Sequence, residues 1–149
     1  MTTRKIEFSL RLRHESADLT PIVRQLGFHA SAIWKRGDHK SNNPGGPVNP
    51  GGHEASYCNL KLGVAATTSL EDGLLESIAR LQPKAAEIEK FVRSGGTASL
   101  AIAWFSDAVG GDRIPASVVA DLARLNLTLD IYLYLSPANQ DESFLPTDD

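Results

Sequence analysis

The sequence predicts one α+β domain: a mostly antiparallel sheet of about five strands with helices packed on one face. Three observations carry this. Apolar and polar residues alternate with a period of two at both ends of the chain, over Lys5–Arg13 and Leu127–Leu135. Between them, leucine, isoleucine and valine recur at helical spacing. The order reads β-α-β-loop-β-α-α-β-α-β, so the first and last thirds are both β-α-β units and a ferredoxin-like arrangement of the two is expected.

Taken in order, Ile6, Phe8, Leu10 and Leu12 share one side of the first strand, and Lys5, Glu7, Ser9, Arg11 and Arg13 the other. Asp18 and Pro21 open a helix that presents Leu19, Ile22, Val23 and Leu26, and Gly27 ends it. Ala30–Arg36 reads as a short strand with Ile33 and Trp34, both tryptophans of the chain being expected as core anchors. Gly37–His53 then packs five glycines and three prolines into 17 residues, a density at which no regular element is expected. Loops this long are uncommon inside a compact domain and often functional.

Order returns at Tyr57–Val64, where Cys58, Leu60 and Leu62 share a face. Ser69 caps a helix with Glu71 and Asp72 in its first turn, where acids suit the dipole. Leu70, Leu74, Leu75, Ile78 and Leu81 form its stripe; Pro83 interrupts, and Ala85–Val92 continues as a second helix. Thr97–Phe105 is nearly all apolar, the mark of a central strand. Pro115 starts a last helix with Val118, Val119, Leu122 and Leu125, and Leu127–Leu135 is the final strand. One domain over residues 1–135 followed by a polar, acidic tail over 136–149 is the expected organisation.

A length of 149 residues is enough for one real core. The net charge of −3 and pI near 5.8 supply no basic field, so neither nucleic acid nor an anionic membrane is expected as a partner. Cys58 is the single cysteine, which rules out an internal disulfide and a thiolate metal cage. No apolar run approaches a membrane span, and a cytoplasmic location is the expectation.

Several short stretches stand out together: Leu26-Gly27 at the end of the first helix, Ser31, Lys35-Arg36-Gly37-Asp38, and Leu129-Asp130-Ile131-Tyr132 after a leucine-rich helix. In these the chain resembles a bacterial family known as domain of unknown function 4279. Members carry a tryptophan in the strand after the long loop, where this chain has Tyr57-Cys58-Asn59-Leu60. The resemblance implies no established activity; small domains of this kind look like immunity or partner-binding proteins.

Two sets of residues carry candidate function. On the last strand Asp130, Tyr132 and Tyr134 share a face, joined by Arg11, Arg13, Tyr57, Asn59 and Lys61 from other strands. Tyrosine and arginine are favoured in recognition surfaces, and aspartate is depleted in strands, which marks Asp130. The plainer expectation is a wet face with Asp130 paired to Arg11 or Arg13. The second set is Arg36, Asp38, His39 and His53 in the long loop, residue types that bind metals or anions but without a metal-ligand spacing. The leading expectation is thus a non-enzymatic protein-binding module, of immunity or regulatory type, with no catalytic residue, metal or cofactor. The alternative is a small ligand- or metal-binding protein or enzyme with its site under the 37–53 loop. Self-association into a homodimer through an open sheet edge fits either.

Overall fold

The computed structural model describes residues 4–41 and 48–135. Strand β1 (Arg4–His14) is the middle strand of the sheet, and its apolar side chains belong to the core. Ile6, Leu10 and Leu12 are wholly enclosed and Phe8 nearly so, as the period-two pattern requires. Helix α1 (Thr20–Leu26) ends on Gly27, whose φ of 78° is the left-handed conformation that glycine adopts without strain. Strands β2 (His29–Trp34) and β5 (Ser56–Lys61) follow, separated by β3 (His39–Ser41) and β4 (Val48–Gly52).

The sheet order is β2-β5-β1, continuing to β6 (Thr97–Ser106) and β7 (Leu127–Leu135). β5 and β6 both pair antiparallel with β1, β2 pairs antiparallel with β5, and β7 runs parallel to β6. The sheet is therefore mixed but mostly antiparallel. The expected ferredoxin-like arrangement is not confirmed, because the two β-α-β units are built differently. β1 and β2 are parallel with β5 inserted between them, whereas β6 and β7 are direct neighbours.

Helices α2 (Leu70–Leu81), α3 (Ala85–Arg93) and α4 (Ala116–Arg124) complete one continuous core with α1 and the sheet. Ser69 caps α2 by accepting the Asp72 amide at 3.2 Å. Asp112, from the loop before α4, accepts a second free amide of that helix end, that of Leu70, and also binds Arg4. Pro83 lacks the N–H that would continue α2, and the chain passes into α3 through a 3-10 turn over Gln82–Lys84. Among the described residues no helix is long and apolar enough to cross a membrane.

One expectation fails in the glycine-rich segment. β3 and β4 pair antiparallel as a small separate ribbon, Ser41 opposite Val48 and His39 opposite Gly52. Glycine makes this possible rather than preventing it: a Cβ on Gly52 would stand 2.8 Å from the Gly37 carbonyl oxygen. A two-stranded ribbon also has free edges, where Pro50 need not donate to a ladder. The acidic tail over 136–149 lies outside the described residues.

Candidate functional site

The helices pack into one core on one side of the sheet, and among the described residues no helix covers the other side, where the register fixes what is presented. Across β5, β1, β6 and β7, Lys61, Ser9, Ala101 and Asp130 form one row. Asn59, Arg11, Ser99 and Thr128 form the next. On the other side of the first row lie Glu7, Ala103 and Tyr132, then Lys5, Phe105 and Tyr134. The centre is thus a floor of small side chains, Ser9, Ser99, Ala101 and Ala103, with larger ones around it. Ala101 is only 3% exposed although it faces away from the core, which measures how far its neighbours rise above it. The result is a groove of about 350 Å³, bordered by Arg11, Asn59, Lys61, Tyr132 and Tyr134.

A hydrogen-bond chain holds this groove in shape. Ser31 on β2 accepts from Asn59 Nδ2 at 2.7 Å, which turns the Asn59 carbonyl oxygen toward β1. That oxygen accepts from Ser9 Oγ at 3.0 Å and from Arg11 Nε at 3.2 Å. Arg11 Nη1 then donates to the Tyr132 hydroxyl at 2.8 Å, and its guanidinium lies 4.7 Å from the centre of the Tyr132 ring. Four strands are tied to one arginine. Tyr134 is set by a parallel stack on Phe105 at 4.9 Å, and Lys5 covers Phe105.

The second corner of the open face comes from a bulge. Ala30 pairs with Leu60, on the core side, but Ala32 pairs with Asn59, on the open side, because Ser31 is an extra residue in β2. The slip moves Trp34 to the open face, opposite Tyr57. There it stacks on His53 at 4.1 Å and lies 4.7 Å from Tyr57. Trp34 is therefore not the core anchor that its sequence context suggests. Burial is the main reason that the Tyr57 hydroxyl titrates above its ordinary value, and Arg11 opposes it.

Of the residues singled out from sequence, Asp130, Tyr132 and Tyr134 do share this face. Asp130 pairs with neither Arg11 nor Arg13: among the described residues no ion pair joins them within 4.0 Å. The loop residues serve local structure. Asp38 accepts the Lys35 amide at 2.8 Å and closes the turn that leads into the ribbon. The Arg36 amide donates to Ser56 Oγ at 3.0 Å, and its side chain reaches toward Glu15. His53 exchanges backbone bonds with Gly37 and Asp38, its ring engaged by Trp34. The His39 side chain lies outside the described residues. Among the described residues no three metal-ligating side chains come together. Cys58 is buried in the core, and burial pushes its thiol up to about 11.

Sequence reasoning placed Arg11, Asn59 and Lys61 on this face, and Ser9 beside Arg11 by alternation, but missed Ala101 and Ala103, whose signal is smallness at outward positions of a central strand. A separate apolar groove of about 310 Å³ lies on the helix side, where Trp104 meets Ile131 and Leu133. Those two β7 residues are 51% and 65% exposed, whereas Leu127 at the start of the strand is buried.

The fold and the open face define a small α+β domain whose uncovered sheet surface carries a polar, aromatic-walled groove. Residues 4–136 match the family described as Domain of unknown function (DUF4279), and the chain belongs to that family. No curated protein matches it, and no solved structure does.

Proposed function

We propose that this protein is a non-enzymatic binding module that receives a segment of another protein on the open sheet face, in an immunity-type or regulatory role. The observation that carries this reading is the groove itself: a small-residue floor between Tyr132 and Tyr134 on one side and Asn59 and Lys61 on the other. Tyrosines supply large contact area at low entropic cost, and half-buried polar groups held by one another give orientation without rearrangement. The alternative, a ligand or metal site under the 37–53 segment, has less support. Asp38 and His53 are already engaged in the turn and the aromatic stack, and neither groove borders on them.

Filling the floor tests the reading. Ala103→Phe places a ring beside Tyr132 without touching the helix side. Affinity capture should recover a stoichiometric protein with the wild type and lose it with the filled variant, both having the same thermal midpoint. Equal recovery by the two would remove the open face from consideration.

A further inference from the structure

Resting on that reading, we infer that the groove selects a carboxylate on the bound segment, and that Arg11 is the group that receives it. Arg11 is half-buried, and a buried guanidinium is normally answered by a carboxylate. Here, among the described residues, none lies within 4.0 Å of it. What holds it is neutral: the Asn59 carbonyl oxygen, the Tyr132 hydroxyl and the Tyr132 ring. Those contacts fix the plane of the guanidinium and leave its charge uncompensated. They engage Nε and one Nη1 proton of the five N–H groups, and among the described residues Nη2 has no acceptor.

A planar fork fixed in this way matches a carboxylate, which accepts two parallel N–H bonds. Because Asn59 and Tyr132 set the side chain in advance, little rotamer entropy remains to be lost on binding. The charge around the groove fits a single negative group. In the four rows that make the groove, Lys5, Arg11 and Lys61 carry three positive charges against two negative ones on Glu7 and Asp130, and Lys5 holds Glu7 at 3.2 Å, which leaves one positive charge for a ligand. A doubly charged phosphate would exceed that balance. The carboxylate has two sources on a peptide, an Asp or Glu side chain or a free C-terminus, and both offer the same fork.

The test is a random-peptide display selection on the full chain, with Ala103→Phe used to discard peptides that bind elsewhere. Two libraries are used, one with a free C-terminus and one tethered through it. Groove-binding peptides should share one acidic position, or require the free C-terminus, which tells the two sources apart. Their affinity should fall ~10–100-fold with Arg11→Met, and by the same factor when the peptide's acid is made an amide. The two losses should not add in a double-mutant cycle. Arg11→Lys should recover only part of the loss, since it keeps the charge but not the fork. Groove peptides that bind equally well without any carboxylate, or to Arg11→Met, would overturn this inference and leave the binding module standing. A selection that yields no groove peptide would overturn the module reading and the carboxylate with it.

Discussion

The Tyr132 hydroxyl accepts a 2.8 Å hydrogen bond from Arg11 Nη1, and so joins the edge strand β7 to the central strand β1 across the whole width of β6. Only small side chains at Ala101 and Ala103 let two such distant residues meet over the intervening strand. The groove and its arginine are therefore one structural fact. Whatever disturbs the Tyr132 hydroxyl should be read at Arg11.

Tyr132→Phe removes the acceptor while keeping the ring under the guanidinium. The bond is solvent-accessible, so the cost in stability should stay below about 1 kcal/mol. The Arg11 side chain, by contrast, should gain motion on the nanosecond timescale. Relaxation of its Nε–H resonance measures this, and unchanged relaxation would show that Asn59 alone fixes the side chain.

Gly73→Ala should destabilise the protein, although alanine is the better helix former by about 1 kcal/mol. Gly73 lies inside α2, and a methyl group there would enter the Phe8 ring. Overpacking of this kind costs about 1–3 kcal/mol. Denaturant unfolding should show the loss, and Phe8→Leu in the same chain should return part of it. Additive losses in the double variant would place the fault outside this contact.

The Cys58 thiol should resist alkylation at pH 8 in the native state. It is fully enclosed, and with its titration near 11 almost none is thiolate at that pH. Labelling in increasing urea should follow global unfolding. Rapid labelling in water would mean that β5 opens locally from β1.

Stability should fall on acidification below about pH 4, and Asp112 should be one cause. The Arg113 amide first, then Arg4 and the Leu70 amide, hold its carboxyl below the ordinary value of 3.8, while partial burial opposes them. A carboxyl depressed in the folded state contributes stability that is fully present above the unfolded value. That stability is lost as pH falls through the folded one. Asp18 is depressed in the same direction by the Thr20 amide. Urea midpoints measured from pH 6 downward should show a shallower decline for Asp112→Asn, and an unchanged slope would assign the loss to other carboxyls.

Removing Ser31 should restore regular pairing in β2 without moving Trp34, because Ala32, Ile33 and Trp34 already face Asn59, Cys58 and Tyr57 in unbroken register. The stack of Trp34 on His53 and its contact with Tyr57 should be kept, while Asn59 Nδ2 loses its Ser31 acceptor. Near-ultraviolet circular dichroism should therefore be unchanged by the deletion. A lost tryptophan signal would mean that β2 shifts its register on β5 and turns Trp34 to the core side.

Most of the elements were legible in the chain because their signals are local. Lys5–Arg13 and Leu127–Leu135 announce half-buried strands by alternation, and Ser69 with Glu71 and Asp72 announces the start of α2. The grouping of Asp130, Tyr132 and Tyr134 was legible for the same reason, since alternate residues of one strand share a face. The ribbon of β3 and β4 was not, because breaker residues describe what a segment does alone and not where it can pair.

The sequence by itself determined the class of the domain, the apolar side of each long strand and the burial of Cys58, all of which follow from periodicity within single elements. Tertiary structure decided the rest: β5 between β1 and β2, Trp34 on the open face, Gly73 against Phe8, and Arg11 bound to Tyr132 rather than to Asp130. Each of those depends on register between strands or on packing across layers. Such relations join residues far apart in the chain, and a local pattern carries no information about which distant partner a residue will meet.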